Sequence, residues 1–200
     1  MNEDQRKNLD TTATAISQHL VHAWNYVATL RSFQRHTRES AAILERTGHF
    51  IATIHRAMWE VLLLKLSHCY DRRSEALGFP KLFKQLRAYV PEQRAVIQAQ
   101  ERRLSVLEVQ KKVENWRHKI IAHYAITSGF ADFDRDNVVS LDEIEQMLEE
   151  LDNILHIFTI QLLDKCFMVK GLCEHAHEDV NRLVAGLKKE AESQRSQSLA

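Results

Sequence analysis

The spacing of apolar residues constrains the fold of this chain most, because they recur at intervals of four and three over long stretches. The clearest series consists of Ile144, Leu148, Leu151, Leu155, Phe158 and Leu162. This spacing places the side chains on one stripe of an α-helix. The 200 residues include 5 glycines and 2 prolines, so few residues are available for the tight turns of an all-β fold. We therefore predict an all-α, antiparallel helical bundle of four to six helices.

The same periodicity divides the chain into segments. The predicted helices cover residues 12–34, 40–70, 81–88, 91–126, 140–162 and 174–190, and residues 71–80 form a loop. The sequence S-L-D-E from Ser140 to Glu143 predicts a capping box at the start of a helix. The polar ends predict a flexible N-terminus at 1–11 and a disordered tail at 191–200, flanking a single helical-bundle domain at 12–190.

The cysteines and the apolar runs indicate the compartment. Three cysteines occur without a C-x-x-C pair, which is typical of reduced thiols in a cytoplasmic protein. Residues 1–12 lack the apolar region of a signal peptide. The longest apolar run, Val61–Leu64, is far too short to span a membrane. We expect a cytoplasmic protein with no membrane partner.

The charges balance overall but are segregated along the chain. The 27 Lys and Arg residues equal the 27 Asp and Glu residues, which excludes nucleic-acid binding through overall positive charge. Residues 94–119 hold seven basic and three acidic residues, whereas residues 132–152 hold nine acids and one arginine. The end of the basic stretch therefore remains available for a small RNA site.

Chemically active side chains are densest in N-W-R-H-K-I-I-A-H-Y, residues 115–124. Arg117 offers a planar fork of donors for a phosphate, and a histidine can exchange a proton near neutral pH. Such groups suffice for metal-free cleavage of a phosphodiester next to a 2′-hydroxyl. On a straight helix Arg117 and His123 point roughly 120° apart, so they converge only through the long arginine, a bend or a second chain. Alternatively, Arg117 and Lys119 are solvated cations and His123 is a hydrogen-bonded histidine at the core edge.

The run from Arg117 to His123 resembles the signature of the HEPN superfamily (higher eukaryotes and prokaryotes nucleotide-binding). Its form R-x-K-x-x-A-H, followed by an acidic stretch and a long amphipathic helix, resembles the AbiU-like abortive-infection branch. The upstream run L-L-K-L-S-H-C-Y-D, residues 63–71, resembles a helix of that branch that ends in an aspartate.

The resemblance implies a four- to five-helix bundle that dimerises with both motifs facing one cleft. It also implies a metal-independent endoribonuclease of phage defence or of a toxin–antitoxin pair, which leaves a 2′,3′-cyclic phosphate. By position, Arg117 and His123 are the catalytic pair, and His118 is the polar residue that follows the arginine. We assign Lys119 and Tyr124 to RNA binding. The expected partners are RNA, a second copy of the chain and an antitoxin or defence protein, with no metal or other cofactor.

Two other functions remain open. A catalytically inactive HEPN-like bundle could bind RNA, nucleotide or a partner protein. A calcium-responsive module is the third hypothesis, since Asp132, Asp134, Asp136 and Glu143 occupy EF-hand positions 1, 3, 5 and 12. Helix capping and the helix dipole explain the same acidic residues without calcium.

Four other histidines invite a metal interpretation, but their sequence positions favour a simpler one. The pairs are His19 with His22 and His175 with His177. The second pair lies roughly 200° apart on a helix, so it cannot share one ion. We predict that all four are polar residues on solvent-facing surfaces.

Overall fold

The computed structural model describes residues 1–39, 48–122, 138–170 and 173–198. Over these ranges it contains α-helices and no strand, which confirms the all-α bundle. The helices are α1 (Glu3–Glu39), α2 (Gly48–Cys69), α3 (Phe79–Tyr89), α4 (Arg94–Ser105), α5 (Glu108–Ala122), α6 (Leu141–Leu163) and α7 (Cys173–Ser198). A 3₁₀ turn at Pro91–Gln93 joins α3 to α4. The predicted helical segments at 40–47 and 123–126 lie outside the described residues.

Helix α1 is the centre of the bundle, because it contacts α2, α3, α6 and α7. Its buried face repeats at intervals of three and four residues, as the amphipathic pattern predicts. The fully buried members of this face include Ala13, Ile16, Leu20, Ala23 and Leu30. They pack with the buried stripe of α6 in one continuous core.

Both ends of the chain are helical where the sequence predicted flexible or disordered segments. Helix α1 begins at Glu3 in place of the flexible N-terminus expected for residues 1–11. Asn2 and Gln5 exchange backbone-to-side-chain hydrogen bonds of 2.9 Å each, and Leu9 is buried. At the other end α7 continues to Ser198, through a segment rich in Lys, Glu, Gln and Arg, which are strong helix formers.

The helix predicted for residues 91–126 is divided in two, with a break at residues 106–107 between α4 and α5. Leu104 and Val109 are both buried, although five residues separate them and a straight helix would point them about 140° apart. The break lets both side chains face the same core. The sequence prediction missed the break because the apolar residues before it and those after it each fit the repeat of a helix.

Helix α6 begins with the predicted capping box. The Ser140 hydroxyl accepts a hydrogen bond from the Glu143 backbone N–H at 3.2 Å, and the Glu143 carboxylate accepts one from the Ser140 N–H at 2.8 Å. The apolar stripe that follows is buried from Ile144 to Phe158. Both features are confirmed.

The acidic and basic stretches of the sequence pair with each other in the fold. Glu143 of α6 lies 2.6 Å from the ammonium of Lys112, and Glu150 lies 2.6 Å from the guanidinium of Arg103. Glu145 and Asp142 pair with Arg31 of α1. The acids of α6 therefore neutralise cations of α1, α4 and α5. None of the described helices is long and apolar enough to cross a membrane.

Gly78 lies where the start of α3 meets the end of α2. A Cβ atom at this position would come within 2.7 Å of the His68 carbonyl oxygen and 2.8 Å of the Cys69 carbonyl oxygen. These are backbone atoms of the last turn of α2, so they cannot move without shifting that turn. The close approach requires glycine and fixes the loop that follows Cys69.

We predict that Gly78→Ala lowers the free energy of unfolding by about 1–3 kcal/mol, because the added methyl group overlaps backbone atoms. Gly186→Ala is the matched control, since a Cβ there meets nothing within 4 Å. Within helix α7 that substitution should stabilise the protein by up to about 1 kcal/mol. Urea unfolding measures both changes, and equal effects at the two positions would contradict the prediction.

Candidate functional site

Arg117 lies in the second half of α5, on the side that faces the end of α2. Val109 and Val113, on the preceding turns, are buried and anchor α5 to the core. The Arg117 side chain is 26 % exposed, and its Nη2 lies 3.4 Å from Oδ2 of Asp71. Arg117 is thus partly accessible to solvent while one corner of its guanidinium contacts a carboxylate.

Asp71 is the buried acceptor at this position. Its side chain is 3 % exposed, and it accepts hydrogen bonds from the Arg73 backbone N–H at 3.0 Å and from Nη2 of Arg73 at 2.6 Å. The Arg73 side chain and backbone, followed by the charge of Arg117, lower the pKa of Asp71 to about 2. Asp71 is therefore ionised over the whole physiological range and keeps two cations in place.

Two histidines from different helices stack beside this carboxylate. The ring of His68, in the last turn of α2, lies 5.2 Å from the ring of His19 of α1, and the planes differ by 14°. Burial, together with the neighbouring His68, Lys65 and His22, lowers the pKa of His19 to about 4. Burial also lowers the pKa of His68; Asp71 opposes this shift, and Lys65, Arg117 and Arg73 add to it.

The arrangement can orient an anion and accept a proton. A guanidinium has five N–H donors, and among the described residues Asp71 is the one partner of the Arg117 guanidinium, so donors of Arg117 remain for a phosphate oxygen. His68 has its pKa below the ordinary value of 6.5, so near neutral pH it is a neutral imidazole that can accept a proton. No group of three His, Cys, Asp or Glu side chains in the described ranges could hold a metal ion.

The structure describes part of the predicted motif. His118 is exposed on α5, next to Arg117. The side chain of Lys119 and the whole of His123 and Tyr124 lie outside the described residues, and so does the first half of the predicted calcium loop, residues 132–137. Glu143, the last residue of that loop, is occupied by the capping box and by Lys112.

The sequence prediction noted His68 and Asp71 only as part of a run that resembles the family, and it misplaced two other histidines. His19 was expected on a solvent-facing surface, yet it is half-buried and stacks on His68. His177 was expected to face solvent, and its Nδ1 instead bonds the hydroxyl of the buried Ser32. The available signal was the spacing between His68 and Asp71 at the end of a predicted helix, which places two polar groups about one turn apart.

Comparison with known proteins adds one finding. The family model HEPN_AbiU2, described as AbiU2, matches residues 6–183 of this chain. The matched range includes most of the central helix α1, the turn at Asp71 and the whole motif around Arg117. No curated protein and no solved structure gives a significant match.

We predict that Asp71→Asn lowers the free energy of unfolding at pH 7 by about 1–2 kcal/mol, because Arg73 and Arg117 lose a charged acceptor. The pKa of Asp71 is about 2 in the fold against an ordinary 3.8. The contribution of Asp71 to the free energy of unfolding is therefore present above about pH 4 and is lost as the pH falls towards 2. Denaturation curves of wild type and variant should converge over that interval.

Asp10→Asn, which breaks a surface pair with Lys165, is the control and should change the free energy of unfolding by less than about 1 kcal/mol.

The stacked histidines generate a prediction at higher pH. The pKa of His19 is about 4 in the fold against an ordinary 6.5. As the pH falls, His19 therefore binds a proton in the unfolded chain before it does so in the folded protein. Wild-type stability should fall by roughly 1–3 kcal/mol between pH 6.5 and 4. His19→Phe keeps an aromatic ring and removes the titrating group, so its stability should vary less over this interval. His175→Phe, at an exposed position, should retain the wild-type slope, and a wild-type slope for His19→Phe would refute the assignment.

Proposed function

The chain belongs to the AbiU2 family of HEPN proteins, and from this premise we propose that it is a metal-independent endoribonuclease. Family membership suggests a nuclease or defence role. The proposed activity is cleavage of RNA in phage defence or as a toxin. Two chains associate, and each contributes an Arg117–His123 motif to one cleft.

One observation carries this proposal: the guanidinium of Arg117 is held by a buried carboxylate. Asp71 fixes one end of the guanidinium through the 3.4 Å contact, and Arg73 shares the charge of that carboxylate. The site thus contains two guanidinium groups around one carboxylate, which leaves it positive. A fixed cation with free donors stabilises the negative charge that develops on phosphorus during transesterification.

The proposed reaction needs no group beyond those of the chain. His123 takes the proton of the 2′-hydroxyl, and O2′ attacks the adjacent phosphorus. The O2′–P bond forms, the P–O5′ bond breaks, and the proton that His123 has taken passes to the leaving O5′. The products are a 2′,3′-cyclic phosphate and a 5′-hydroxyl. Arg117 stabilises the pentavalent intermediate, while His118, Lys119 and Tyr124 contact the RNA.

A second function is favoured by the same contact. Asp71 neutralises part of the charge of Arg117, and a cation that stays paired is a weaker catalyst. On this alternative the protein is an inactive HEPN-like bundle that binds RNA, nucleotide or a partner protein. Cleavage activity distinguishes the two.

The test is cleavage of RNA in EDTA by wild type, Arg117→Ala and His123→Ala. Wild type should cut and leave a 2′,3′-cyclic phosphate, detected by mass spectrometry of the fragments. Each substitution should reduce the rate by about 100-fold or more, since it removes either the charge stabilisation or the proton acceptor. Lys111→Ala and His175→Ala, at exposed positions on α5 and α7, should cut at the wild-type rate.

Two results would overturn the proposal. Wild type that binds RNA without cutting it supports the inactive bundle, and activity that disappears in EDTA contradicts the metal-independent mechanism. Sedimentation equilibrium should give the mass of a dimer. A monomer with full activity would refute the two-chain cleft but not the proposed cleavage reaction.

A further inference from the structure

A cavity lies next to the Asp71 turn. Its volume is about 500 Å³, within the range of pockets that bind small ligands. Residues at the end of α2 and in the loop after it form one side, and α3, α4 and one residue of α5 form the rest. We call it the Tyr70 cavity. Its apolar lining is contributed by Pro80, Phe83 and Leu104.

Two arginines line the Tyr70 cavity, and their charges are not neutralised by an acidic residue in the described ranges. Arg72 and Arg102 are exposed, and neither side chain makes an ion pair or hydrogen bond with another residue in the described ranges. The acid that lines the cavity, Glu101, is paired with Arg87. The lining therefore carries positive charge available to an anionic ligand.

The hydroxyl of Tyr70 supplies an independent observation. Tyr70 lines the cavity, its side chain is buried, and its hydroxyl oxygen has no hydrogen-bond partner among the described residues. Burial, with smaller contributions from Cys69, Glu114 and Glu150, raises the pKa of this phenol. It is a protonated donor, and a buried donor without a hydrogen-bond partner is energetically unfavourable. A ligand that accepts a hydrogen bond there would remove this penalty.

The cavity is lined by neighbours of the candidate active site. Tyr70 and Arg72 flank Asp71, which contacts Arg117. Gln110 of α5 also lines the cavity and lies seven residues before Arg117. These two residues therefore lie within about 20° of each other on α5 and about 10 Å apart along its axis. A chain molecule held at Arg117 reaches the cavity along one face of α5.

We propose that the Tyr70 cavity is a subsite for one nucleotide of single-stranded RNA, in which Arg72 and Arg102 bind a phosphate. The base contacts the apolar lining, and its polar edge accepts a hydrogen bond from the Tyr70 hydroxyl. The inference rests on the proposed function, because it places this nucleotide near the phosphodiester that Arg117 contacts. It selects single-stranded RNA, since a base paired in a duplex cannot enter a cavity beside α4.

The test measures binding without cleavage. Fluorescence anisotropy is recorded with a labelled single-stranded RNA that carries 2′-O-methyl groups throughout and therefore cannot be cut. The double variant Arg72→Gln/Arg102→Gln should bind about tenfold more weakly than wild type or worse. The slope of log affinity against log salt concentration should become shallower by roughly 0.7, for the one phosphate that the two arginines neutralise. Arg94→Gln is the matched control, an exposed arginine on α4 outside the cavity, and should bind as wild type does.

Tyr70→Phe tests the hydroxyl separately. Removal of an unpaired buried donor should leave the melting temperature unchanged or higher, so reduced RNA affinity in this variant cannot come from unfolding. Wild-type affinity in both Tyr70→Phe and the double arginine variant would overturn the subsite. Weaker binding by the double variant to duplex and single-stranded RNA alike would overturn the selection of single strands.

The outcome is separable from that of the proposed function. His175→Ala, at an exposed position on α7 outside both sites, should bind the methylated RNA with wild-type affinity. If wild type cuts no ordinary RNA while the arginine variants lose affinity, the nuclease fails and the subsite stands. If wild type cuts RNA and the variants bind as wild type does, the subsite fails alone.

Discussion

The buried carboxylate of Asp71 is the interaction on which the surroundings of Arg117 depend. An ionised carboxylate removed from water must be paired and hydrogen-bonded, because its desolvation otherwise outweighs the gain from packing. Arg73 supplies this pairing through its backbone and its guanidinium, and Arg117 adds a further donor from α5. One acidic residue therefore joins the end of α2, the following loop and the motif helix. The position of the Arg117 guanidinium is a consequence of that burial.

Neighbouring contacts restrict the same turn from other directions. Gly78 packs its Cα against the backbone of the last turn of α2, and the ring of His68 stacks on His19 of the central helix. The core beneath is continuous from α1 to α6. A catalytic arginine needs such support, since a positioning error of about 1 Å is enough to lose much of the rate.

The helices were predictable because their signals are local. The buried stripe and capping box of α6 follow from spacings of three and four residues, and so does the position of Arg117 on a helix. The division at residues 106–107 was not predictable in this way, since it follows from the direction in which Leu104 and Val109 meet the core. The stacking of His19 on His68 joins residues almost fifty positions apart, and a local sequence pattern does not predict a contact between such distant residues.

The neutrality of the chain has a structural explanation that also locates its positive charge. The acids of α6 pair with Arg103 and Lys112, so these two cations of the basic stretch are already neutralised. The positions of the cations that remain therefore matter more than the total charge does. Arg72 and Arg102 line one cavity beside the Asp71 turn, where two arginines already share a single carboxylate. A neutral protein thus keeps a local excess of positive charge at the surface where a phosphate would have to bind.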